Sequence, residues 1–92
     1  MAKINDTQEE ISYKISARIV DRNTGMTEIN DIHMIRLKSK DHNLLIMEDY
    51  MPIIGELSGT VEFVLKDESV PMEVEHGFYM HKRNEFSLLI DV

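Results

Sequence analysis

Four histidines, two pairs of carboxylates and one Ser-Gly step are the residues here that could carry chemistry. His33, His42, His76 and His81 offer imidazole nitrogens, and Glu75 could complete a metal set as a carboxylate ligand. Only His76 and His81 are near each other, five positions apart, and no H-x-H or H-x₃-H spacing groups any pair. The competing reading is four solvated or hydrogen-bonding histidines. Glu48 with Asp49, and Glu73 with Glu75, have the pairing that acid–base catalysis uses, and also the pairing of ordinary solvated segments. The chain has no cysteine, hence no thiolate nucleophile and no disulfide framework. Ser58-Gly59 lies outside any Gly-x-Ser-x-Gly elbow, and the four glycines form no phosphate loop. These residues predict no catalytic site, no cofactor site and no metal centre. They leave a small-ligand or metal-binding β-barrel built on the four histidines as the alternative reading.

The elements that must position these groups are strands. Residues 11–20 alternate, with Tyr13, Ile15, Ala17 and Ile19 on one side and Ser12, Lys14, Ser16 and Arg18 on the other. Period two with one apolar side is a half-buried strand. Asp21 to Gly25 is rich in turn formers and ends it. A weak strand over 26–30 and a better one over 32–38 follow, the latter with Ile35 and Leu37 opposed to Arg36 and Lys38. Residues 39–43 read as a polar loop and residues 44–47 as a short apolar run. Gly55 to Gly59 reads as a turn, residues 60–66 as a strand and residues 66–69 as a hairpin turn. Val70, Met72 and Val74 alternate next. Pro71 marks an edge there, because proline cannot donate to a ladder. His76-Gly77 interrupts the alternation as a β-bulge does. A strand with Phe78 and Met80, a turn at Lys82-Arg83-Asn84 and a last strand over 85–92 complete the chain. No window of eleven residues has helical periodicity.

Ninety-two residues make one domain, with residues 1–10 as a flexible polar leader and 11–92 as the folded unit. The start lacks the apolar core of a signal peptide, which predicts a soluble intracellular, cytoplasmic protein. The formal charge is −7. Residues 41–76 hold nine acids against Lys66 alone, so the charge is concentrated there. That excludes a phosphate-backbone partner, which needs clustered Lys and Arg. An acidic face can steer toward a basic protein or simply keep a small domain in solution. Met47, Met51, Met72 and Met80 fit core filler. Met51 beside Tyr50, Pro52, Ile53 and Ile54 equally fits contact surface.

The stretch over 41–64 carries the strongest pattern. An apolar run ends in the corner Glu48-Asp49-Tyr50-Met51-Pro52-Ile53, and the later segment Leu57-Ser58-Gly59-Thr60-Val61 follows. This resembles the N-terminal β-domain of the F-type ATP synthase epsilon subunit (delta in mitochondria), with its Pro-Gly-His-Ala-Pro-Leu-like corner and later Pro-Gly-x-x-x-Ile strand. Pro52, the Ile53-Ile54 pair and Gly59 keep their places, and Gly77 matches the second member of a Gly-Gly pair. The corner glycine and histidine are lost, as are two glycines of the preceding loop. The resemblance implies a flattened β-sandwich of about ten short, mostly antiparallel strands. It implies a non-catalytic rotor subunit that binds a gamma subunit within an alpha/beta/gamma assembly. Tyr50, Met51, Pro52, Ile53 and Ile54 are its expected gamma contacts, and Asp41, His42 and Asn43 match the loop that meets a membrane c ring. The family continues into two helices that carry ATP binding and inhibition. The matching expectation here is a subunit that does neither.

Overall fold

The computed structural model describes residues 13–90. Seven strands follow one another: β1 (Ile15–Asp21), β2 (Gly25–Ile32), β3 (Met34–Ser39), β4 (Asn43–Ile46), β5 (Ile53–Val64), β6 (Ser69–Lys82) and β7 (Glu85–Ile90). They form one sheet in the order β2-β1-β7-β6-β5-β3-β4. Neighbouring strands are antiparallel except β1 and β7, which run parallel. No helix occurs among the described residues. The expected leader at 1–10, the proposed strand start at Ile11 and Ser12, and Asp91 and Val92 lie outside the described residues.

The period-two pattern is realised in burial. Ile15, Ala17 and Ile19 of β1, Ile35 and Leu37 of β3, and Phe86, Leu88 and Ile90 of β7 are all buried. Arg18, Arg36 and Lys38 between them are exposed. Each alternation removes one face from water, the dominant favourable term in forming such a sheet.

Among the described residues the strand count is seven against about ten expected, and two of these strands run through expected breaks. β5 has 12 residues and β6 has 14. The proposed Gly55–Gly59 turn is therefore strand, and His76-Gly77 bends β6 without ending it. The register explains how. Leu57 pairs with Gly77 and Gly59 with Val74, so Ser58 faces two residues, Glu75 and His76. This is the expected β-bulge, and it re-aims the strand beyond it. Ser58 Oγ donates to the Glu75 carbonyl at 2.7 Å, satisfying a group the bulge removes from the ladder. Glycine is required on both sides. A Cβ on Gly59 would overlap the Lys38 carbonyl oxygen, and one on Gly77 would lie 2.8 Å from the Leu89 carbonyl oxygen.

The bulge divides the sheet into two halves. Beyond it in β5, residues 59–64 pair with β3 and with 69–74 of β6. Before it, residues 53–57 pair with 77–81, and β6 then pairs with β7. The halves close on a shared core. Phe63 and Phe86 meet edge to face with ring centroids 6.0 Å apart, although β6 separates their strands in the sheet. The first part of β6 has β5 as its paired neighbour among the described residues, so its other side is an edge. Pro71, Glu73 and Glu75 lie along it and discourage further strand pairing.

Candidate protein interface

The corner before β5 is built by a turn. Tyr50 N–H donates to the Met47 carbonyl at 3.1 Å, and Asp49 at the third position takes φ 63°. Asp49 occupies the place of the corner glycine in the family that the sequence resembles. Aspartate is among the few side chains that tolerate this left-handed region. The corner is also tied down. Asp49 N–H donates to Asn84 Oδ1 at 2.7 Å, and Asn84 Nδ2 returns a bond to Asp49 Oδ1 at 3.1 Å. Lys14 N–H donates to Glu48 Oε2 at 2.9 Å. Asn84 can do this because the β6–β7 hairpin turns through Arg83 and Asn84, both at positive φ, as a two-residue type I′ turn requires. Glu48 thus accepts from a backbone N–H of its own domain, and Asp49 is tied through its backbone and its carboxylate to the Asn84 side chain.

The five expected contact residues divide. Met51 is 66% exposed and Ile54 76% exposed, and Pro52 is also exposed. Tyr50 and Ile53 are half-buried and pack against the core. Ile53 and Ile54 point to opposite faces, as adjacent residues of a strand must. Ile53 anchors the corner and Ile54 stands outside.

Register then gathers residues that the corner alone does not contain. Ile54 pairs with Met80, and Met80 with Ser87. One row on, Glu56 pairs with Phe78, Phe78 with Leu89, and Leu89 with Val20. Ile54, Phe78, Met80 and Leu89 are all exposed large apolar side chains on this outer face. A shallow groove of about 250 Å³ runs along its end, lined by Pro52, Ile53, Ile54, Met80, His81 and Lys82. The outer face of the other half differs. There Lys38, Arg36, Glu62 and Glu73 alternate across β3, β5 and β6, with Arg36 and Glu62 3.9 Å apart. Met80 and Met47 are therefore surface rather than core filler, while Met72 does pack on the core. Phe78, Met80 and Leu89 were not among the expected contacts. For Phe78 and Met80 the signal is the phase change at His76-Gly77, which turns the even positions of β6 outward; for Leu89 it is the alternation of β7 itself.

The loop at Asp41, His42 and Asn43 is elsewhere. Ser39 closes it, its N–H and its Oγ each donating to the His42 carbonyl at 3.0 Å. Asp41 and His42 are exposed and border a cavity of about 390 Å³ with Lys40, Glu56, Ser58 and His76. Asn43 opens β4 and pairs with Lys38.

The histidines do not converge. His42 and His76 share that cavity, His33 lies tilted against Tyr13 with centroids 4.5 Å apart, and His81 is buried beside Phe86. Among the described residues no three His, Asp or Glu side chains come together to hold a metal ion. Two side chains at the corner have displaced pKa values. Burial, and secondarily the neighbouring Tyr50, pushes Tyr79 upward. Burial pushes His81 downward.

No protein-family model and no curated protein matches the chain. Among solved structures, it is similar to a chain in the cryo-EM structure of the Tetrahymena thermophila mitochondrial ATP synthase central stalk and c ring. The TM-score is 0.68 at 14% identity, over 86% of this chain. The match covers 64% of that chain's length. At this identity the likeness is one of fold.

Proposed function

We propose that this protein is a non-catalytic central-stalk subunit of an F-type or F-type-like rotary ATPase. It would bind a gamma-like subunit and stabilise the foot of the rotor, leaving ATP hydrolysis to alpha and beta chains. The observation that carries the reading is the contrast between the two outer faces of the sheet. One carries Arg36, Lys38, Glu62 and Glu73, with Leu45 as its exposed large apolar side chain at the β4 edge, and the other presents Ile54, Phe78, Met80 and Leu89 beside Met51 and Pro52. Contiguous exposed apolar side chains with a polar surround are the mark of a protein contact. The fold likeness to a chain of an ATP synthase stalk and ring structure supports the choice of assembly, as does the epsilon-like corner at Glu48 to Ile53.

In this reading Met51, Pro52 and Ile54 meet the gamma-like chain directly, and Tyr50 and Ile53 hold them in place from the core side. Asp41, His42 and Asn43 would face a membrane c ring where the motor has one, and the protein would then lie in the cytoplasm at the membrane periphery. Affinity purification of the tagged chain from its own cells tests this. Recovery of alpha-, beta- and gamma-like chains in one complex is the expected result. Recovery of the chain alone, as a monomer, refutes it.

A further inference from the structure

His81 is a fully buried titratable side chain on the inner face of β6. Its neighbours across the ladder are Ile53 on β5 and Phe86 on β7, the latter with ring centroids 6.2 Å away. Neither ring nitrogen has a hydrogen-bond partner among the described residues. A neutral imidazole carries one donor and one acceptor, so both stand unmet in an apolar site. An imidazolium there would have two unmet donors and a charge.

Among the described residues nothing nearby compensates that charge. β5 presents Ile53 and β7 presents Phe86, while β1 adds Ala17 in register with Phe86. On β6 the adjacent inward group is Tyr79, and Tyr50 of the corner lies close to it. Both are phenols. Lys82 and Glu85 are exposed, and Glu48, Asp49 and Lys14 are engaged with one another or with backbone at the corner surface. Desolvation is accordingly the cause of the lowered His81 pKa.

The location sets what yields first. Ile53 is the first residue of β5, and His81 sits one residue before the end of β6. Strand ends open at far lower cost than strand middles. We propose that His81 is an acid-operated latch: on taking up a proton it leaves the inner face, and the segment 51–54 separates from β6 while the rest of the sheet holds. The device resides in this chain alone. Its consequence, weaker docking in acid, rests on the function proposed above, because Met51, Pro52 and Ile54 belong to that contact face.

Amide exchange of the full chain, recorded by NMR from pH 7.5 to 5, tests the latch. Protection factors at residues 53–55 should fall about tenfold per pH unit below the ordinary histidine pKa, the dependence of an opening that takes up one proton. Protection at Val61, Phe63 and Leu88 should not change. His81→Leu and His81→Phe should each abolish the effect. Protection at 53–55 that ignores pH, or that falls together with Val61 and Leu88, overturns the proposal. So does the same pH dependence in a folded His81 variant, and the wild-type measurement decides the matter if neither variant folds. Titrating binding of the gamma-like subunit separates the two readings. A working latch with docking that is indifferent to pH refutes the contact face and leaves the latch standing.

Discussion

Replacing Ile54 by Ala separates binding from folding at a single side chain. The change removes three carbons, worth about 2.4 kcal/mol if the side chain is fully withdrawn from water. Ile54 is 76% exposed in the free domain. Roughly a quarter of that value, about 0.6 kcal/mol, therefore belongs to the fold, and about 1.8 kcal/mol awaits a partner that covers the face. Alanine's poorer strand propensity adds at most about 1 kcal/mol to the folding side. In binding, about 1.8 kcal/mol is close to a 20-fold rise in Kd. Calorimetry with the gamma-like subunit and denaturant melts of the free chain would measure the two parts. Leu45→Ala is the control, because Leu45 is an exposed apolar residue on β4, on the other half of the sheet. It should leave Kd unchanged. Wild-type affinity for Ile54→Ala, or a loss of stability near the full 2.4 kcal/mol (about), shows that the apolar face is not the contact and that the partition is wrong.

Other outcomes follow from the same geometry. Gly59→Ala must push β3 away from β5, since its Cβ meets the Lys38 carbonyl, and should cost about 3 kcal/mol in urea unfolding; an unchanged midpoint contradicts the close approach. Asn84→Ala loses both the side-chain tie to Asp49 and the tolerance for φ 62°, for a cost of about 2 kcal/mol. Asn84→Gly keeps the turn and should lose only the tie, so equal melts for the two variants would discount the turn strain. Tyr79 is held neutral by burial, its pKa raised above the free value. The unfolded chain ionises first, so this contribution is complete below about pH 10 and is lost as pH rises toward the folded pKa, at up to about 1.4 kcal/mol per pH unit. Comparing melts of wild type and Tyr79→Phe across pH 9–11 isolates that slope, and parallel curves count against it. Tyr50→Ala should destabilise the free chain as well as weaken docking, because Tyr50 packs on the core.

Local features of this protein were legible along the chain. Alternation of Ile15, Ala17 and Ile19, and of Phe86, Leu88 and Ile90, determines which face of each strand avoids water, because side chains on an extended backbone take opposite sides in turn. Pro71 at an edge, the hairpin after Lys66 and the bulge at His76-Gly77 are likewise properties of a few residues each. The corner pattern around Pro52 was readable too, down to the opposition of Ile53 and Ile54. Strand length was not, because Gly55 and Gly59 mark a turn in isolation, whereas in context Gly55 makes room for the Tyr79 ring and Gly59 for the Lys38 carbonyl of β3. The exposed apolar face and the buried histidine also belong to the tertiary structure. A bulge shifts side-chain phase by one residue, which sends Phe78 and Met80 out and His81 in. Register then sets Ile54, Met80, Phe78 and Leu89 side by side on β5, β6 and β7. Cross-strand neighbours lie about 5 Å apart in space however far apart they are in sequence, so this apolar face exists only once three strands have paired.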